Sequence, residues 1–322
     1  MTRALSFPRL LLIALAALAA TPSAMAWGCK GHEIVALIAE AHLNPRARAM
    51  ALKILADAPI SPTLSRYCKE PGLDPFSDSS TWADDERTVL PDTAPWHFID
   101  IPRGAPESDI EKYCPPATRC VTWALKVQVE ILEDESASAQ VRADALRFII
   151  HFVGDIHQPL HDSTNNDRGG NCVPVTFFGN APQERNPTFE TYSPNLHSIW
   201  DVDIIDKFLN GETPQQAADD LNKKFHAAES AWQSQPPNFA SWAWEGHQLA
   251  ETTVYGRLPV KIAIETPRPV DSCADDDHIS TRMLRLNENL ADDYQRAAAP
   301  AVQEQLARAG IRLAALLNSL WP

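Results

Sequence analysis

Apolar side chains recur at helical spacing along most of this chain. Ile34, Val35, Leu37, Ile38 and Ala41 fall on one face of a 3.6-residue period, and Val121, Leu125, Val129 and Leu132 on another. From about Ser138 to His157, Val141, Ala145, Phe148, Ile149 and Phe152 make a third, broad face. Leu290 to Leu320 reads as a further helix or pair of helices, with Pro300 as the break. Alternation of period two is scarce. The run from Val173 to Phe178 is the one plausible strand, demoted to an edge by Pro174 and ended by a Gly179-Asn180 turn. Pro and Gly cluster at 58–75, 91–106, 180–195 and 265–278, which read as surface loops. The pattern predicts a mainly α, single-domain, multi-helix fold with little β structure.

The first 26 residues follow another pattern. Arg3 and Arg9 precede an apolar run at 10–20, and Ala24-Met25-Ala26 matches the small-x-small cleavage rule. Residues 1–26 are therefore expected to be a signal peptide, and 27–322 a single mature domain opening at Trp27. The apolar run is shorter than the ~20 residues a bilayer span needs, and no later stretch reaches that length. The expected product is exported, periplasmic or secreted. All six cysteines lie beyond residue 26, and an even number in an oxidising compartment favours disulfides. The Pro115-Pro116 turn singles out Cys114 with Cys120. No Cys-x-x-Cys occurs, so cysteine-ligated zinc is not expected.

Candidate chemistry lies in histidine and carboxylate spacing. His151 and Asp155 stand four apart and share a helical face, with Gly154 leaving room beside them. Pro159 stops that helix and returns His161 to the same region. Ser193 can cap a second helix with Pro194 in its first turn, which again puts His197 and Asp201 at i and i+4. One such pair is commonly a hydrogen-bonded core pair or a surface contact; two pairs with His161 between them point to metal. Upstream, Trp27 and His32 open the mature chain. Its α-amino group, with an ordinary pKa of about 7.7–8.0, could give up a proton to a metal ion. Asp84 in Trp-Ala-Asp and His97 in Trp-His-Phe-Ile-Asp add two ligand-type groups, which taken singly read equally as a helix start and a buried histidine.

These residues resemble a known family. His-Phe-Val-Gly-Asp-Ile-His-Gln-Pro-Leu-His, then Gly-Gly-Asn, then Asn-Leu-His-Ser-Ile-Trp-Asp is similar to the zinc-dependent single-strand nucleases and 3′-nucleotidases of the S-one/P-one type, which include mung bean nuclease. The resemblance runs from Trp27 to at least Asp201. It implies the helical fold shared by zinc nucleases and zinc phospholipases C. It also implies three zinc ions: one on Asp84, His97, His151 and Asp155; a close neighbour on the Trp27 amine and carbonyl, His32 and the shared Asp155; a third on His161, His197 and Asp201. In such enzymes water between the paired ions attacks phosphorus in line and the third zinc stabilises the leaving 3′-oxygen. The implied substrates are RNA, single-stranded DNA and 3′-nucleotides, with 5′-phosphate products from polynucleotides. Arg87 matches a cation that contacts phosphate, and otherwise reads as an i,i+3 ion pair with Asp84. Asp100 matches a carboxylate that positions the attacking water, and otherwise reads as a loop-end aspartate. Phe98 matches an aromatic on which a base stacks, and otherwise reads as core. Asn171 either touches substrate or shapes a turn. Val202 departs from a polar contact found in the family.

Charge agrees only through the metals. Without Arg3 and Arg9, 26 basic residues face 42 acidic ones, a formal charge of −16, which lacks the footprint of an ordinary nucleic-acid binder. Three Zn²⁺ would supply a local +6. His157 lies off the His151 face and reads as structural. His42, His226 and His247 read as helix-end or surface residues, and His278 as part of a solvated acidic loop, Asp275-Asp276-Asp277, with only a weak Ca²⁺ or Mg²⁺ pattern. Two other functions fit part of the pattern: a zinc phospholipase C, and an exported protein that binds zinc without catalysis. The spacing from Trp27 to His32 and Asp201 as last ligand favour the nuclease. No obligate protein partner is implied.

Overall fold

Helix α1 (Cys29–His42) is buried at every position from Ile34 to Ala39, so it is an interior helix rather than a surface helix with one apolar face. Ala41, expected on the apolar face, is exposed. A computed structural model describes residues 27–69, 71–117, 119–275 and 289–322, and the expected leader, 1–26, lies outside the described residues. His278, Asp276 and Asp277 lie outside them too.

After α1 come α2 (Pro45–Asp57), the short α3 (Pro75–Ser79) and α4 (Trp82–Glu86), then α5 (Val121–Glu133) and α6 (Ala139–Asp155). Helices α7 (Leu196–Ser198) and α8 (Ile204–Leu209) flank a π turn, and α9 (Pro214–Gln233), α10 (Phe239–Leu249) and α11 (Asp292–Leu320) complete the described helices. Helices α1, α9 and α11 pack on one another, while α6 lies between α5 and α2 and also touches α1 and α11. One contiguous cluster of buried apolar side chains extends from Trp27 to Trp321. Ser138 caps α6 by accepting the Val141 amide at 3.3 Å. Val141 itself, in the first turn, is exposed rather than on the buried face.

Pro300 does not break α11. A proline inside a helix costs about 3 kcal/mol by removing one amide and crowding the preceding turn. Tyr294 and Ala298 before it and Val302 and Leu306 after it are buried in the same core, and Pro300 is exposed. Continuous burial of both halves outweighs the local defect.

Strand structure is as sparse as the pattern predicts. Of 173–178 only β1 (Thr176–Phe177) is a strand, paired in parallel with β4 (Asn289–Leu290). The turn after it is closed by reciprocal backbone bonds of 2.9 and 3.0 Å between Phe177 and Asn180, with Gly179 at φ +80°. The expected loop at 180–195 holds an antiparallel pair, β2 (Gln183–Asn186) and β3 (Thr191–Ser193). Three disulfides, Cys29–Cys68, Cys114–Cys120 and Cys172–Cys273, use all six cysteines, and the second is the expected one. Among the described residues no helix is long and apolar enough to cross a membrane.

Candidate metal centre

The last turn of α6 delivers His151 and Asp155 to one buried point. The His151 ring donates from Nδ1 to the Ser80 carbonyl at 2.7 Å, and its Nε2 faces Asp155 Oδ2 at 3.3 Å and Asp84 Oδ2 at 3.8 Å. Asp84 arrives on α4, and His97 at the end of a 3-10 turn, Pro91–His97. His97 Nδ1 stands 3.1 Å from His151 Nε2, 2.9 Å from Asp155 Oδ2 and 3.7 Å from Asp84 Oδ1. From α1, His32 Nε2 approaches the other oxygen, Asp155 Oδ1, at 3.3 Å, and its ring stacks on His151 with centroids 3.9 Å apart.

Close approach here depends on Gly154, since a Cβ there would lie 2.8 Å from His32 Nδ1. Trp27 is fully buried beside it, with its indole N–H on the Gly154 carbonyl at 2.8 Å and its own carbonyl accepting the His32 amide at 3.2 Å.

A second group forms where the chain turns after α6. Helix α6 ends at Asp155, and Pro159–His161 makes a 3-10 turn capped by the Gln158 side chain. His161 donates from Nδ1 to the His97 carbonyl at 2.7 Å, tying this group to the first. His197 donates from Nδ1 to the Gly169 carbonyl at 2.6 Å, and its Nε2 lies 3.3 Å from Asp201 Oδ2. Gly169 has φ +59°, and a Cβ there would collide with the Leu160 carbonyl. The helix that carries this pair starts two residues later than expected. Its cap is Asn195, whose side chain accepts the Ser198 amide at 2.8 Å, because Ser193 is spent at the end of β3. Asp201 sits in a π turn, Ile199–Asp203, which preserves the one-turn approach to His197.

The donor set fits divalent metal. Tetrahedral zinc, with bonds of about 2.0–2.2 Å, holds its ligand atoms roughly 3.3–3.6 Å apart. Ligand atoms in each of three groups, His32/His151/Asp155, Asp84/His97/His151 and His161/His197/Asp201, lie within 4.8 Å of one another. Nε2 of His32, His161 and His197 and Oδ1 of Asp155 are buried with no hydrogen-bond partner. Each such group left unmet costs on the order of 1–3 kcal/mol. In His161 and His197 the backbone carbonyl fixes the tautomer and aims a bare lone pair into the group. A shared cation answers all of these atoms at once.

Electrostatics favour the ligand form at His97, His197, His32 and Asp155 and oppose it at His151 and Asp201. Burial pushes His97 down to about 4 and, with His161 nearby, His197 down to about 3, so both rings are neutral ligands at ordinary pH. Burial and the His151 charge also lower His32. His151 goes the other way, raised to about 9 against the effect of burial by Asp155 and Asp84. Burial opposes ionisation of Asp155, yet His151 and hydrogen bonds from the surrounding rings hold it well below the usual carboxylate range. Asp201 is pushed well above that range by burial, with Gln158 donating to it at 2.6 Å in partial compensation.

Around this core the other expected residues fall as follows. Arg87 reaches Asp84 Oδ1 at 3.3 Å. Phe98 is half-buried, stands outside the apolar core, and lines an open cavity of about 900 Å³ together with Asp100. The Asp100 carboxyl is pushed up to about 6 by the surrounding protein and by Asp167, with Arg168 opposing. The Asn171 amide donates to the Arg168 carbonyl at 2.8 Å, which closes a turn. Val202 is exposed beside Asp201. His157 is structural, bonded to the Val153 carbonyl and to Arg312 at 2.8 and 3.0 Å. His42 ends α1, His226 is exposed, and His247 stands at a helix end, in the last turn of α10, where it is buried and stacks on Trp244. Gln158 was not singled out from sequence, although its place between His151 and His161 in the motif was a signal. The carbonyls of Ser80, His97 and Gly169 leave no sequence signal.

A helical scaffold that gathers three histidine–carboxylate groups able to hold metal ions, with an open cavity at Phe98, places the chain among proteins with a candidate multinuclear metal centre. Residues 27–322 match the S1/P1 Nuclease family. The chain is 28% identical over 320 residues to Nuclease S1 of Aspergillus oryzae (strain ATCC 42149 / RIB 40), covering 97% of each chain. It is 27% identical over 313 residues to Endonuclease 2 of Arabidopsis thaliana, covering 94% of this chain and 93% of that one. With Nuclease P1 of Penicillium citrinum it shares 32% identity over 198 residues, 59% of this chain and 63% of the other. The protein belongs to the S1/P1 nuclease family, which is zinc-dependent in general, and is a nuclease, a hydrolase of phosphodiester bonds.

Proposed function

We propose that residues 27–322 form one exported domain that holds three zinc ions, cleaves RNA and single-stranded DNA at the P–O3′ bond to leave 5′-phosphates, and releases phosphate from 3′-nucleotides. Asp84, His97, His151 and Asp155 would hold one ion; Trp27, His32 and Asp155 the second; His161, His197 and Asp201 the third. The observation that carries this reading is the set of buried, partnerless ligand atoms converging at Asp155 and at Asp201. Zinc when bound supplies Lewis-acid polarisation of phosphate and a water acidic enough to ionise near pH 7.

The protein's own groups do the rest. Arg87, anchored by Asp84, offsets negative charge on the non-bridging phosphate oxygens as the phosphorus becomes five-coordinate. Asp100 accepts a hydrogen bond from the attacking water and orients it. Phe98 offers its face to a base, a contact that tolerates any sequence. Asn171 holds the Gly169–Gly170 turn that supports His197.

Metal content and turnover test the reading together on protein beginning at Trp27. About three zinc per chain, phosphate release from 3′-AMP and acid-soluble product from RNA, all lost to chelator and restored by Zn²⁺, are expected. Zinc without either activity would defeat it and direct attention to phosphatidylcholine as a phospholipase C substrate, then to non-catalytic zinc binding.

A further inference from the structure

The cavity lined by Phe98, the neighbour of His97 in sequence, is larger than a single base needs. Phe98 and Asp100 line it from one segment, and Tyr113, Pro116 and Arg119 from a second, which makes its other wall, called outer below. Its volume, about 900 Å³, lies near the top of the roughly 300–1,000 Å³ range of small-ligand clefts. One base on Phe98 leaves much of it unfilled.

The outer wall is built rather than loose. Cys114–Cys120 closes the loop that carries Pro115, Pro116 and Arg119, and the Val121 amide ties its end to the Phe98 carbonyl at 3.0 Å. Phe98 and this loop therefore hold a fixed spacing. Arg119 has φ +51°, a strained conformation for a non-glycine residue, and strain of that kind gathers at functional sites. Its amide closes the turn onto the Pro115 carbonyl at 3.4 Å.

The chemistry of the wall matches a nucleotide. The Arg119 guanidinium lies 5.3 Å from the Trp123 ring centroid, and stacking on an indole leaves the N–H edge of the fork free to meet a phosphate in bidentate fashion. Arg119 is exposed, and Tyr113 is half-buried at the end of a 3-10 turn, Glu107–Tyr113. Asp92 and Asp100 in the same lining repel an anion, so a phosphate there must sit on Arg119, the one cation among the lining residues.

We propose that this outer groove is the subsite for the nucleotide unit adjoining the one on Phe98, with Tyr113 stacking its base and Arg119 gripping the linking phosphate. The inference rests on the polynucleotide reading above and adds to it a pair of residues that favour oligonucleotides over mononucleotides. Tyr113 and Arg119 bind and position substrate and take no part in the bond-breaking step.

The test compares Arg119→Gln and Tyr113→Leu with the parent protein on 3′-AMP and on a tetrathymidylate. Each variant should raise KM for the tetranucleotide about 5- to 50-fold, keep its kcat within about twofold, and leave both constants for 3′-AMP within about twofold. Arg119→Gln should also lower the salt dependence of tetranucleotide binding by about 0.7 in slope, one phosphate contact. Fluorescence anisotropy with a phosphorothioate tetranucleotide reads the binding loss without turnover, and unchanged zinc content shows the fold intact. Equal losses on both substrates, or none on either, would overturn the proposal. If the parent protein hydrolyses neither substrate, the functional reading fails, and anisotropy still decides whether Arg119 and Tyr113 hold an oligonucleotide.

Discussion

Asp155 is the side chain on which most of the centre depends, because His97 and His151 face one of its oxygens and His32 the other. Asp155→Ala should therefore remove more than one zinc per chain and lower turnover on the order of a thousandfold or more. Metal analysis beside 3′-AMP kinetics checks it, and near-full zinc content would contradict the bridging geometry. His157 supports the fold instead. Burial and the Arg312 charge hold its ring neutral, with a pKa well below 6.5. The unfolded chain takes up a proton that the folded protein refuses, so this contribution to stability is complete above pH about 6.5 and declines as pH falls below it. His157→Gln should be less stable than the parent at pH 8 and lose less between pH 6.5 and 5, as read by denaturant unfolding at each pH. The ligand residues were legible from spacing and resemblance. The carbonyls that orient their rings were not, because a backbone acceptor has no residue identity.

At the scale of elements, helix ends and tight turns make the site, with Asp84 from α4 and His197 and Asp201 from α7 and the π turn after it. α1 brings Trp27 and His32, α6 brings His151 and Asp155, the 3-10 turn at Pro91–His97 brings His97, and the turn at Pro159–His161 brings His161. The start of α1 is pinned to the 58–75 segment by Cys29–Cys68, which spans 39 residues of sequence. Replacing both cysteines by serine should cost roughly 3–4 kcal/mol of stability on a chain-entropy basis and weaken zinc retention at the His32 side first. Unfolding midpoints with and without reductant, and metal content after dialysis, measure both effects. The α6 pattern was legible from its apolar run and its Ser138 cap, although every position from Ala145 to Asp155 is buried rather than one face alone. The α11 reading erred at Pro300, where a local rule met a helix buried along both halves. The start of α7 was placed early because Ser193 has a strand partner, Gln183, that lies outside local sequence.

For the whole molecule, the metals would act as ligands of the folded state. Without them the interior retains partnerless ring nitrogens and the buried carboxyls of Asp84, Asp155 and Asp201. An ion at a thousandfold its dissociation constant adds ~4 kcal/mol of stability. Chelation should accordingly lower Tm by roughly 10 °C, with recovery on adding Zn²⁺, followed by scanning calorimetry. A Tm indifferent to chelator would mean that the centre is not filled in the folded protein.

The residue pattern alone determined the helical class, the sparse strands, the Cys114–Cys120 pair and the two helix-spaced pairs His151/Asp155 and His197/Asp201, since each follows from periodicity or spacing within a few turns of chain; the other candidate ligands rested on the family resemblance. Only the tertiary structure decided how these residues meet. Packing of α1 and α4 against α6 brings His32 and Asp84, far apart in sequence, to His151 and Asp155, where burial lowers His97 and the carboxylates of Asp155 and Asp84 raise His151. The wall facing Phe98 was likewise decided by a disulfide-closed loop whose distance from that ring depends on how α5 packs, a long-range contact that local periodicity does not encode.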